Sequence, residues 1–206
     1  MKEANMDRRV RKTRRVLRQC LTTLLKEKKI QEITVREIAE MADINRGTFY
    51  LHYKDVYDLM EQIENELMAE LEEVLNHHSV QDLMVQPSLI FKELYPMVQK
   101  NSDIISLLMG QNGDLSFVNR LQAILRERFV KHWQNLNNWG DPDSLEAYSS
   151  FIVTGCIGVV QYWLDSGMRE GPEHMAALTE HFILKGIGGL EKKEGIIDAA
   201  KREHGA

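Results

Sequence analysis

Apolar residues in this chain recur at spacings of three and four from Val16 to Ile187, while alternation with a period of two never persists beyond a few positions. The first spacing lines one face of a helix and the second one face of a strand, so the sequence reads as all-α. Its 206 residues are enough for a small domain and a medium one, each with a core. Cys20 and Cys156 lie far apart, each inside an apolar helical pattern, which supports neither a disulfide framework nor a metal knuckle and fits a reducing cytoplasm. The start MKEANMDRRVRKTRR carries no apolar signal core. The apolar run Phe151 to Leu164 is shorter than the roughly 20 residues of a membrane span. A cytoplasmic location without membrane attachment or export is the resulting expectation.

The formal net charge of −5 argues by itself against a nucleic-acid partner, because DNA binding relies on Lys and Arg to neutralise phosphates. The distribution reverses that. Residues 1–54 hold 14 Lys and Arg against 7 Asp and Glu, a balance of +7, and residues 55–206 hold 12 against 24, a balance of −12. A basic head is joined to an acidic body, although a basic run alone is equally well read as a solvated arm.

Within the head the periodicity predicts a helix from about Arg8 to Lys28, with Val16, Leu17, Cys20, Leu21, Leu24 and Leu25 as its core stripe. Thr34-Val35-Arg36-Glu37 has the form of a capping box and opens a second helix to about Ala42. Asp43-Ile44-Asn45 breaks it, and Asn45 caps a third helix over Arg46 to Tyr53. Asp55 caps a fourth, to about His78, about 35 Å long at ~1.5 Å per residue. Further helices follow: from Pro87 through Lys100 with Pro96 as a kink, from Ser102 to Met109, from Leu115 to Asn135 after an Asp114 cap, from Pro142 to Asp165 after Asp141, and from Pro172 to Gly188. The segments predicted are a three-helix head at 1–54, a helical body at 55–190 entered by the connecting helix 55–78, and a charged, frayed tail at 191–206.

Two short helices joined by a three-residue break match a helix-turn-helix, in which one helix braces another that enters the major groove. The third helix, Arg46-Gly47-Thr48-Phe49-Tyr50-Leu51-His52-Tyr53, has few apolar side chains beyond Phe49 and Tyr53, which read as mini-core. It also offers a guanidinium, a hydroxyl, a phenol and an imidazole to phosphates or base edges.

The stretch Thr34 to Tyr53, followed by Asp55 and Leu59, resembles the tetracycline-repressor (TetR) family of bacterial regulators in both order and spacing. The motif covers about residues 8–62; the remainder matches in helix number and length. The resemblance implies a three-helix DNA-binding domain, a connecting helix, a ligand-sensing body and dimerisation through the last two long helices. By position it implies that Thr34 bonds a phosphate, that Asn45, Arg46 and Thr48 read bases, that Tyr50 and His52 hold the backbone, and that Leu51 meets a thymine methyl. Arg36 and Gly47 complete the DNA-binding set. Where the family usually has a lysine this chain has Val56, and Lys54 is the cation placed to take over its phosphate.

The body offers weaker signals. His77-His78 and the His174, His181 pair lack the spacing and partners of a metal site. Gly186-Ile187-Gly188-Gly189 follows a helix and not a strand, so it is a helix stop. No nucleophile elbow or carboxylate pair appears. The expectation is a non-enzyme without metal or cofactor. The 151–164 segment is apolar nearly all round and needs cover on both sides, from the last helix and from a symmetry mate. This gives a dimer set of Ile152, Gly155, Val159, Trp163, Leu178 and Phe182, with Gly155 and Gly158 allowing close approach. Met97, Met109, Phe117, Leu121, Trp133, Tyr148 and Trp163 are candidates to line a cavity for an apolar small-molecule effector, though such a stripe also reads as core. The expected function is a dimeric repressor that binds palindromic double-stranded operator DNA and is released by an effector. The alternatives are a co-regulator that needs a protein partner and an enzyme with an unrecognised helical site.

Overall fold

A computed structural model of the chain describes residues 2–78, 86, 88–110, 115–134 and 142–186; within its helices the side chains of 2–7, 115, 129, 131–134, 142 and 144 stay outside that description. Among the described residues there are nine α-helices and no strand: α1 (Lys2–Leu25), α2 (Val35–Met41), α3 (Arg46–Tyr50), α4 (Val56–Asn76), α5 (Ser88–Lys100), α6 (Ser102–Met109), α7 (Leu115–Gln134), α8 (Pro142–Asp165) and α9 (Pro172–Lys185). The all-α expectation holds. The expected caps Asp114 and Asp141, the start at Pro87 and the tail 191–206 lie outside the described residues. Pro96 sits inside α5, which continues through it.

Several bounds differ from the expected ones for local reasons. The first helix starts at Lys2 and ends at Leu25, where Lys28 N–H turns back to the Leu24 carbonyl at 3.1 Å. A 3-10 turn at Ile30–Glu32 had no apolar period to betray it; the Glu32 carboxylate accepts the Lys29 amide at 3.0 Å and closes it. The third helix is five residues and not eight. Its end is decided by the Phe49 carbonyl, which takes the amides of both His52 at 2.9 Å and Tyr53 at 3.0 Å, so the last turn tightens and the chain leaves the helix.

Compactness divides the chain into two units, the described residues of Met1–His77 with Lys100–Glu127, and those of His78–Gln99 with Arg128–Ala206. In the first unit α1 packs on α2 and α6, and α2 on α3. Leu17, Cys20, Leu21 and Leu24 of α1 are buried with Ile38, Ala39, Phe49 and Tyr53, whereas Val16 and Leu25 of the expected stripe are half-buried. Phe49 meets the rings of Tyr50 edge-on and Tyr53 at a tilt, each with centroids 5.7 Å apart. On α4 the apolar face Leu59, Ile63, Leu67, Leu71 and Val74 is buried as its period requires. A polar clasp adds to this packing: buried Asn101 accepts from Arg18 at 2.8 Å and donates to Glu70 at 3.0 Å, tying α1 to α4.

In the second unit α9 packs on α8. Trp163 is fully buried, edge-on to Tyr95 at 5.1 Å, and its indole N–H donates to the Glu170 carbonyl at 2.8 Å. The Thr179 hydroxyl donates to the Met175 carbonyl at 2.8 Å, so the Tyr95 hydroxyl, 2.6 Å away, donates to Thr179. Burial pushes the Tyr95 phenol up to about 12. Gly167 and Met168 take left-handed backbone to end α8, and Pro172 at the first position starts α9 as the sequence predicts.

Because Phe49 joins α3 to the rest of its small core, Phe49→Ala is expected to destabilise the chain by about 3–5 kcal/mol. Urea unfolding with an unchanged midpoint in that variant contradicts a head held by this ring.

Candidate nucleic-acid interface

The α2 N-terminus is built as its sequence foretells, with one addition. Thr34 Oγ1 accepts the Glu37 amide at 3.3 Å, and the Glu37 carboxylate accepts the Thr34 amide and hydroxyl, both at 2.9 Å. Lys28, beyond the end of α1, also hydrogen-bonds that carboxylate. Together the Lys28 ammonium, then the Thr34 amide and hydroxyl, hold Glu37 down to about 2. Both polar groups of Thr34 are thereby committed to Glu37. A phosphate arriving here meets the first amides of α2 and has to compete for the Thr34 hydroxyl. Lys28 carried no signal of its own in the sequence, because only the fold brings it to Glu37. Arg36 is exposed and its Nε donates to Glu40 at 2.7 Å, one turn along α2.

The break before α3 places Asp43 in left-handed backbone, φ 51°, which Asp tolerates better than most residues. Asn45 then caps α3, its side-chain oxygen accepting the Gly47 amide at 2.8 Å, which leaves its amide group as the part that can donate outward. Phe49 is the buried residue of α3. Arg46 and Gly47 are exposed and Thr48 is half-buried, while Tyr50 is 57% and Leu51 81% exposed. His52 is half-buried; burial first, and then the charge of Arg14, hold its imidazole below the ordinary histidine range, so at neutral pH it can serve a phosphate as a neutral N–H donor. Val56, where a lysine was looked for, is 4% exposed and belongs to the core. Lys54 is exposed two residues earlier, its amide held by the Asp58 carboxylate at 2.7 Å, and Asp55 caps α4 by accepting the Asp58 amide at 2.8 Å. All ten candidate DNA-binding residues are therefore on one short run of the first unit, and Arg14 is a neighbour that no local pattern announced.

The candidate cavity residues belong to both units. Met109, Phe117 and Leu121 are in the first unit and Met97, Tyr148 and Trp163 in the second; the Trp133 side chain lies outside the described residues. Trp163 at 0% exposure touches no water-sized void, so it is core and not a cavity wall. The same burial removes it from the dimer set, since its ring is spent on Tyr95 and Glu170 of its own chain. The other dimer candidates line or flank an open apolar groove of about 460 Å³ formed by Gly155, Gly158, Val159, Tyr162, Leu178 and Phe182. Ile152 beside it is half-buried, and Phe151 is 73% and Tyr162 68% exposed. Tyr162 was missed, although the spacing 155, 158, 162 places it on the glycine face. A Cβ added at Gly155 or Gly158 meets nothing within 4 Å. Segment 151–164 is thus buried along one side, at Val153, Ile157, Val160, Trp163 and Leu164, and open on the other. Leu145–Asp165 has the length and composition of a membrane span, at mean hydropathy 1.2; the shorter apolar run measured from sequence stopped at Phe151. Among the described residues no group of three His, Cys, Asp or Glu could hold a metal ion, and His78 lies 2.8 Å from the Glu93 carboxylate.

Residues 86–185 match the model of a TetR-type transcriptional regulator C-terminal region. Over 203 aligned positions the chain is 24% identical to an uncharacterised helix-turn-helix transcriptional regulator of Bacillus subtilis, covering 88% of this chain and half the length of that relative. Its fold is similar to that of a TetR transcriptional regulator from Streptococcus agalactiae, with a TM-score of 0.59 and 18% identity over 88% of this chain and 98% of that one. It is also similar to FadR from Bacillus subtilis, a transcriptional regulator solved with stearoyl-CoA, with a TM-score of 0.59 and 13% identity over 84% and 98% of the two chains.

The depressed Glu37 carboxyl makes the head sensitive to acid. A carboxyl whose folded value lies below its unfolded one stabilises at neutral pH, and that stabilisation fades as pH falls below the ordinary carboxylate range of about 4.3 and is gone near pH 2. Urea midpoints of wild type and Glu37→Gln are expected to differ at pH 7 and converge toward pH 2. A gap that stays constant over that range refutes the assignment.

Proposed function

We propose that the chain is a regulator of the tetracycline-repressor family, a reading supported by the match of residues 86–185 and by its sequence and fold relatives, and that it is a repressor acting as a homodimer on palindromic operator DNA, relieved by a small apolar effector. The observation that carries the reading is the exposure of Tyr50 and Leu51 on a helix anchored by fully buried Phe49. Leu51 is largely open to solvent, and Tyr50, edge-on to Phe49 on one side, keeps more than half of its surface free for a ligand. Residues 1–54 form the DNA-binding head in this reading. Arg46 and Thr48, with the outward amide of Asn45, meet base edges, where a bidentate guanidinium contact is worth about 1–3 kcal/mol of discrimination. Tyr50, His52 and Lys54 hold phosphates, with Arg36 and the α2 amides at Thr34 on the next strand, and Leu51 supplies apolar contact to a thymine methyl. Exposed Gly47 leaves the backbone room to approach the duplex.

The dimer is formed across the α8 and α9 groove, whose open glycines allow two helices to approach closely. A twofold pair sets its recognition helices about 34–36 Å apart, or a multiple of that, for successive turns of the groove. An effector that binds the body better in a different spacing lowers operator affinity by its coupling energy, typically about 1–3 kcal/mol. The stearoyl-CoA held by the Bacillus subtilis fold relative makes long acyl chains the first effector class to try. The work of the protein is binding, without catalysis or cofactor, in the cytoplasm.

Arg46→Ala is expected to weaken operator binding by about 5- to 150-fold, the equivalent of the ~1–3 kcal/mol of a guanidinium–base pair, without disturbing the dimer; normal operator affinity in that variant overturns the assignment of Arg46. A chain that protects no DNA unless a second protein is added favours the co-regulator instead. Gly158→Arg, for which each subunit has open space, is expected to keep its helix content yet sediment as a monomer. A dimer that survives it removes α8 from the interface.

A further inference from the structure

Between residues 8 and 15 stand six cations, Arg8, Arg9, Arg11, Lys12, Arg14 and Arg15, without an acid among them. None belongs to the helix-turn-helix. From periodicity the helix was expected only at Arg8, but α1 begins at Lys2, so these cations sit on formed helical backbone. Among the described side chains Leu17 is the first of α1 to be buried. About 20 Å of helix, at ~1.5 Å per residue, therefore precedes the core. At 100° per residue Arg8, Arg11, Lys12 and Arg15 share the face opposite Leu17, Cys20 and Leu24. Arg8, Arg9, Lys12 and Arg15 are exposed, and among the described residues none of these four is held in an ion pair.

Like charges at i and i+4 destabilise a helix when left alone, whereas a row of phosphates removes that repulsion and releases counterions. The ridge is also next to the recognition element. Arg14 at its edge is close enough for its charge to be felt at His52 and Tyr53, the residues that follow α3. The N-terminal part of α1 is thus a cationic stretch whose Arg14 lies near the residues that follow α3.

We propose that the exposed basic ridge at the N-terminal end of α1 is a second DNA-binding element, which takes the sugar-phosphate backbone of the duplex flanking the bases met by α3. It rests on the DNA-binding reading and extends it to a region that carries affinity and not sequence discrimination. The ridge acts through point charges on phosphates, so its signature is salt dependence. Each phosphate neutralised contributes about 0.9 to the slope of log affinity against log salt.

The test uses the full chain and the duplex it selects from a random-sequence pool. That duplex is prepared once trimmed to the protected bases and once with about ten further base pairs, one helical turn, on each side. The variant R8Q/R9Q/K12Q/R15Q keeps good helix formers at exposed positions, so its circular dichroism should match wild type. On the long fragment its salt slope is expected to be shallower by about 0.9 for every phosphate the ridge no longer neutralises, hence by about 2 or more for a dimer in which each ridge holds at least one. On the trimmed fragment the two proteins should converge. R8K/R9K/R15K, which restores charge without the guanidinium fork, should recover the wild-type slope. An unchanged slope on the long fragment, or an equal decrease on both, overturns the flanking element while leaving the operator reading intact. A wild type that selects no fragment and ignores duplex DNA at low salt overturns both.

Discussion

The head of this protein depends on the burial of one ring. A domain of three short helices has little apolar surface to hide, and Phe49, fully buried against Tyr50 and Tyr53 with Ile38 and Ala39 in the same core, supplies the contact that keeps a five-residue helix in place. An isolated helix of that length is unstable in water. Once Phe49 is inward, the 3.6-residue repeat puts Gly47 and Leu51 on the opposite side, while Arg46 at the first turn and Tyr50 stand exposed at its flanks. Exposure of the proposed DNA-facing residues therefore goes with the packing of Phe49.

Electrostatics complete what packing begins. Glu37 gathers the Thr34 amide, the Thr34 hydroxyl and the Lys28 ammonium, so the start of α2 is locked to the segment after α1 before any ligand arrives. A contact made by a pre-positioned group loses less conformational entropy on binding. The same lock means that a phosphate reaching the Thr34 hydroxyl has to displace the Glu37 carboxylate from it. Asn101 plays a comparable part for α1 and α4: its amide is both acceptor for Arg18 and donor to Glu70, a bridging role that Leu or Ala could not fill.

The body shows the opposite condition, an apolar surface left uncovered. On α8 the inward face is filled by Trp163 and its neighbours, and the outward face presents Gly155, Gly158 and Tyr162 to an open groove. The proposed dimer rests on this uncovered apolar surface, where a Cβ at either glycine would meet nothing within 4 Å. The proposed dimer and the proposed DNA contacts thus sit in different compact units of the chain.

What the residues determined by themselves is local. Caps such as Thr34, Asn45 and Asp55, the proline at the start of α9 and the apolar period of α4 act through neighbours three or four positions away, so the helices and the turn before α3 were legible without coordinates. So was Phe49 as core, because so few apolar residues compete for that role. Tertiary structure alone decided where long-range partners fall. It spent Trp163 on Tyr95 and Glu170, divided the candidate cavity residues between two units, turned Val56 inward, and brought Lys28 to Glu37 and Arg14 to His52. The physical reason is the same throughout: a helical repeat states which residues share a face, but which face is covered, and by what, depends on elements far away in the chain.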